Sequence, residues 1–220
     1  MKRQSILLFL LATITLGEFA CRINFVHKPR RISRKPVIYL YAPSETTVNV
    51  KLKVDGEFLI TEPAYNNGWN VIAHSDGTVT NIADGKHFPY LYWEAAMKFQ
   101  CRFETGYVIP GDSAEFLLRK ILPETGLQGK EINDFIEYWL PDLSRNEFNL
   151  VTFPLEEYEK KAKMIITPQP DQILRVFMAF KSIPERTTIP APTFSEFSRT
   201  GFHVVEWGGV DMDLAHEELQ

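Results

Sequence analysis

The sequence predicts an α+β fold, a mainly antiparallel β assembly (sandwich or meander) with an inserted helical hairpin. Three observations carry this expectation. Residues 36–107 hold short runs of alternating apolar and polar side chains, punctuated by Asp-Gly and Asn-Gly turns. Residues 112–141 change to helical spacing, and residues 148–207 return to a period of two. Apolar residues make up 45% of the chain and there are 16 phenylalanines, so core material is ample and general disorder is excluded.

Each element follows in order. Val37-Ile38-Tyr39-Leu40 is a compact β-favouring run suited to a central strand. In residues 46–54, Val48, Val50, Leu52 and Val54 alternate with Thr47, Asn49, Lys51 and Lys53, which predicts a half-buried antiparallel strand. Asp55-Gly56 predicts a hairpin into residues 57–61. Asn66-Asn67-Gly68, Asp76-Gly77 and Asp84-Gly85 predict further turns, with strands over residues 69–73, 78–82 and 88–93. Phe99, Cys101 and Phe103 alternate with charged and polar neighbours, placing Cys101 on the apolar face of a strand as an inert thiol.

Asp112 and Glu115 have the spacing of a capping box ahead of Phe116, Leu117 and Ile121. Ile132, Phe135, Ile136 and Trp139 predict a second helix, which Pro141 should stop. Residues 148–153 read as a strand and 155–162 as a short charged helix. Residues 164–167 and 173–180 read as a hairpin around Pro168 and Pro170. Its second arm puts Leu174, Val176, Met178 and Phe180 opposite Arg175, Phe177, Ala179 and Lys181. A proline-rich linker over residues 184–192 crosses back to a last strand over residues 202–207. Residues 210–220 read as a mobile acidic tail.

The termini point to an address. Lys2 and Arg3 precede an apolar run over residues 6–12 that extends to Leu16, the pattern of an export signal over residues 1–20. The run falls well short of the roughly 20 apolar residues that cross a bilayer. Ala20-Cys21 resembles the cut site of a bacterial lipoprotein signal, where the cysteine thiol receives a lipid; Glu18 departs from that pattern. Simple secretion, with a Cys21–Cys101 disulfide, is the alternative. Residues 21–35 then form a basic tether, in which Lys28, Arg30, Arg31, Arg34 and Lys35 can attract anionic headgroups. The net charge of −4 argues against nucleic acid as a partner. The expected location is the cell envelope or outer membrane.

Several stretches together resemble a family of bacterial proteins of unknown function. They are Lys35-Pro-Val-Ile-Tyr-Leu-Tyr41, Tyr65-Asn-Asn-Gly-Trp-Asn-Val71, Tyr90-Leu-Tyr-Trp-Glu94, Arg175-Val-Phe-Met178 and Gly201-Phe-His-Val-Val-Glu-Trp-Gly-Gly209. The resemblance implies a secreted or lipid-anchored protein and brings no activity or site residues.

Chemistry is sparsely signalled. His203 and Glu206 are three apart, which on a strand turns them to opposite faces and away from a shared metal. His74, Asp76 and Asp84 lack the spacing of an EF-hand loop. No metal and no cofactor is expected. Glu94 beside Tyr92-Trp93, and Glu206 beside Trp207, are the candidate catalytic carboxylates: acids beside aromatic rings suit a glycan, and a pair at the right separation can act on a glycosidic bond. Tyr92, Trp93 and Trp207 are the candidate binding residues. The leading expectation is a non-enzymatic binding or scaffolding module with a glycan or envelope-protein partner. A glycan or peptide hydrolase using Glu94 and Glu206 is the alternative.

Overall fold

In the computed structural model, which describes residues 31–214, the Val37-Ile38-Tyr39-Leu40 run lies inside β1 (Arg31–Tyr41), and all four side chains are buried. A strand can bury consecutive residues only when both its faces are covered. Here one face meets a second sheet and the other meets helices. The larger sheet has seven strands in the order β3-β7-β1-β12-β11-β9-β8. These are β3 (Gly56–Glu62), β7 (Leu91–Met97), β8 (Tyr107–Pro110), β9 (Phe148–Thr152), β11 (Gln172–Ile183) and β12 (His203–Asp211), with β1. The smaller sheet has the order β10-β2-β4-β5-β6, from β2 (Thr46–Val54), β4 (Trp69–Ala73), β5 (Val79–Asn81), β6 (His87–Phe88) and β10 (Ala162–Thr167). All pairings are antiparallel except β11 with β12. The predicted α+β sandwich with a helical hairpin is the observed class.

The sheets enclose one core, in which Ile38, Leu40, Val48, Val50, Trp69, Trp93, Phe177 and Val204 meet. The hairpin of α1 (Ala114–Ile121) and α2 (Gly129–Leu143) covers the other face of the larger sheet. There Leu118, Phe135 and Trp139 pack on Tyr39, Met178, Phe180, Val205 and Trp207. A short helix, α3 (Leu155–Lys161), sends Tyr158 into the inter-sheet core.

Several expectations change. Asp55-Gly56 does turn the chain, but β2 and β3 lie in different sheets, so no hairpin forms. β3 pairs with β7 instead, and Gly56 is needed there because a Cβ would stand 2.1 Å from the Ala96 carbonyl oxygen. Likewise β10 pairs with β2 while β11 pairs with β12 and β9; the segment around Pro168 carries the chain between sheets. No capping box forms at Asp112. It forms at Gln128 and Glu131, where the Glu131 carboxylate accepts from the Gln128 N–H at 2.9 Å. Pro141 lies within α2, which runs on to Leu143. Phe99, Cys101 and Phe103 do alternate toward the inter-sheet core, but residues 98–103 are not a strand. Residues 31–35 belong to β1 rather than to a tether. The chain is ordered past residue 210, where Asp213 accepts the Ser182 N–H at 2.7 Å. The export signal, Cys21 with its lipid or disulfide, and residues 215–220 lie outside the described residues.

Candidate functional site

The larger sheet separates the two carboxylates singled out from sequence. Glu94 projects toward the helices, where it accepts from the Lys35 N–H at 3.2 Å and the Tyr138 hydroxyl at 3.4 Å. Glu206 projects into the inter-sheet core and is fully buried. It accepts from Arg175 Nε at 2.6 Å and from the Tyr158 hydroxyl at 3.1 Å. An acid–base pair acting on one bond needs both groups on the same side of it, so this pair is not assembled. Trp93 and Trp207 are also fully buried and offer no ring face to a sugar. His203 stacks on Tyr41 on the helix side, away from Glu206, as the strand period requires.

Tyr92 lies on a tyrosine-rich surface. Lys35 sits in a bulge of β1 at φ 53, a left-handed conformation unusual for a residue with a Cβ. The bulge aims its ammonium at the rings of Tyr90, Tyr92 and Tyr138, 5.1–5.4 Å from each centroid. Beside it a cavity of about 230 Å³ is walled by Asp134 and Glu137. The cage is filled by the chain's own lysine, so its first role is to hold the β1 bulge against α2.

Hydroxyls on this face are strongly coupled to acids. Burial raises the pKa of Tyr39, helped by Asp134; burial also raises Tyr41, helped by Glu131, and Tyr92, helped by Glu94. Burial likewise raises Tyr158, with Glu206 adding to the effect. A group held above its unfolded pKa supplies stability below that value and loses it as pH rises. With the unfolded value near about 10, stability is expected to fall steeply above that pH. Tyrosinate absorbance from these four should grow together with loss of circular dichroism. Their ionisation in a chain that keeps its native spectrum would contradict the assignment.

An opening suited to an extended ligand lies along β11. This strand pairs with β12 over residues 172–180, but with β9 only over residues 179–183. β9 ends at Thr152, and the chain turns away into α3. On that flank, residues 172–178 make no backbone hydrogen bond among the described residues. An open strand edge presents alternating unpaired N–H and C=O groups.

The crossover from β11 back to β12 passes outside this edge. It is pinned at one end by the Gly106 N–H donating to the Pro190 carbonyl at 2.8 Å. At the other end Arg199 donates to both Glu131 carboxylate oxygens at 2.7 and 2.8 Å, and to the Gly126 carbonyl at 2.7 Å. Between the pins, residues 191–197 and residues 172–177 enclose a groove of about 570 Å³. Phe153, Leu155, Phe194 and Phe197 supply its apolar walls, and Ile173 is 44% exposed at the open edge. Pro190 and Pro192 have no N–H, so the crossover is poorly made to close the edge itself.

Sequence reasoning registered the proline-rich crossover but not the groove. The signal available was the run Gln172-Ile-Leu-Arg-Val-Phe-Met178, which is long, apolar and free of proline. No family model, curated protein or solved structure matches this chain.

Proposed function

We propose that this protein is an exported, lipid-anchored binding module of the cell envelope, without catalytic activity. In this reading it accepts an extended segment of a partner protein along the open flank of β11. One observation carries it: on one flank of a strand at the heart of the larger sheet, residues 172–178 make no backbone hydrogen bond among the described residues, and a groove of about 570 Å³ runs beside residues 172–177. Strand addition suits such an edge, because main-chain hydrogen bonds supply affinity while alternate side chains enter pockets above and below. The leader and Cys21 supply the envelope address, with the lipid on Cys21 as the membrane contact. The hydrolase alternative loses its chemistry with Glu94 and Glu206 on opposite faces. The glycan alternative loses the two tryptophans that would stack on a sugar.

The test uses a library of synthetic peptides about ten residues long, a length that spans the open flank at about 3.3 Å per residue. Bound peptides are expected to slow amide exchange in residues 172–178. N-methylation at alternate peptide positions should weaken binding by about tenfold or more, since each lost main-chain bond is worth about 1 kcal/mol. Phe194→Asp should weaken it similarly while leaving the fold intact. Absence of binding across the library, or binding indifferent to N-methylation and to Phe194, would overturn the reading.

A further inference from the structure

The groove does not end at the strand. Thr105, Phe153 and Leu155 wall both the groove along β11 and a second recess of about 470 Å³, so the two are continuous. Their character differs. The part along β11 sets apolar walls from Leu155, Ile173, Phe194 and Phe197 among polar Gln172, Thr193 and Ser195. The recess beyond Phe153 is lined by Glu104, Glu156 and Glu157, with Arg102 as its cation.

Local pairing offsets two of these three carboxylates and leaves an excess of negative charge at Glu157. Arg102 sits 3.3 Å from Glu104, and Glu156 holds Lys160 at 2.7 Å; these are surface pairs that an incoming cation can exchange with. Glu157 has no ion-pair partner among the described residues. At the opposite end of the groove, Glu196 of the crossover adds another carboxylate. Arg175, which also lines the groove, is committed to Glu206 and brings no free positive charge.

On the strand-addition reading, we infer that the partner segment is apolar where it lies along β11 and basic where it leaves the groove past Phe153. Such a peptide matches both halves of the site. Its alternating apolar side chains meet Leu155, Ile173 and Phe194, and its lysines or arginines meet Glu156 and Glu157. An acidic extension would meet like charge in the same recess. Because these contacts lie at the rim, they set partner choice and salt dependence more than total affinity.

Three synthetic peptides with one shared apolar core test this: the core extended at either end by Lys-Arg, the core extended by Asp-Glu, and the core with neutral extensions. The expected result is binding of the basic-extended peptide about fivefold tighter than the neutral one, with the acidic peptide weaker, the difference shrinking in high salt. Glu156→Lys with Glu157→Lys should reverse the order of the basic and acidic peptides. Glu156 is exposed and Glu157 half-buried on α3, and neither belongs to the buried core, so folding of the variant can be checked by its unchanged spectrum. Equal binding of all three peptides would overturn this inference while leaving strand addition standing. Binding of none would overturn both.

Discussion

Glu206→Ala is expected to lower folding stability by about 3–5 kcal/mol, because it strands a buried guanidinium. Arg175 is 9% exposed, and its partners are fixed: Glu206 at 2.6 Å, the Ala162 carbonyl at 2.9 Å and the Tyr158 ring at 4.6 Å from the guanidinium carbon. Burial works against the arginine's charge, yet Glu206, Tyr158 and Glu159 outweigh it and raise its pKa above the ordinary value. Removing the carboxylate therefore cannot be answered by deprotonation. It leaves a charge among Tyr158, Phe177 and the inter-sheet core. The double change Arg175→Met with Glu206→Leu should recover most of the loss, since an apolar replacement of a whole buried pair is often neutral or better. Recovery should stop short of complete, as the Tyr158 hydroxyl and the Ala162 carbonyl each lose a partner. Denaturant unfolding of the three variants checks this. A loss below about 1 kcal/mol in Glu206→Ala would show that the pair is not what joins β11, β12 and α3.

Trp139→Ala is expected to cost about 3–5 kcal/mol and to loosen the helical layer. The indole is fully buried between α2 and the sheet. It lies 5.7 Å from Phe180 and 4.9 Å from Tyr138, with the Arg34 guanidinium 5.3 Å from its ring. It also occupies space that β12 leaves open: a Cβ on Gly209 would come within 2.8 Å of the ring and 2.6 Å of the Met178 carbonyl oxygen. Glycine and tryptophan thus form a matched pair across the layer, and neither can change without a cavity or a clash. Trp139→Phe should retain more than half of the lost stability. If the alanine variant unfolds at the wild-type denaturant midpoint, another contact holds α2 to the sheet. The consequence reaches the groove, because Glu131 on the same helix anchors the crossover through Arg199.

Much of the local structure was legible. The alternation in residues 46–54 identified which side chains that strand turns inward, and that in residues 174–181 separated side chains facing the helices from those facing the second sheet, because a strand's faces follow from a period of two. The spacing of Ile132, Phe135, Ile136 and Trp139 identified the buried stripe of α2 for the corresponding helical reason. Details at helix ends were less legible. Gln128 is an uncommon cap whose box depends on Glu131, while Asp112 satisfies Ser113 instead. Pro141 does not end α2, which runs on to Leu143, and the next residue, Asp142, is held by Arg145 and by Arg34 at 2.8 Å from another layer.

The candidate site was the least legible part. Tryptophan beside glutamate at Trp93-Glu94 and Glu206-Trp207 reads equally well as a sugar platform or as core, and only burial on both faces of the larger sheet distinguishes them. By itself, the sequence determined the class of the fold, the inward face of its strands and helices, and the positions where the chain turns. The tertiary structure alone decided which sheet receives each strand, and therefore that Glu94 and Glu206 stand apart and that one flank of β11 stays open. The physical reason is that alternation and turn chemistry act over a few neighbouring residues. A strand's partners, by contrast, are chosen by packing between segments far apart in the chain, such as β1 against β12 and β9 leaving β11 at Thr152.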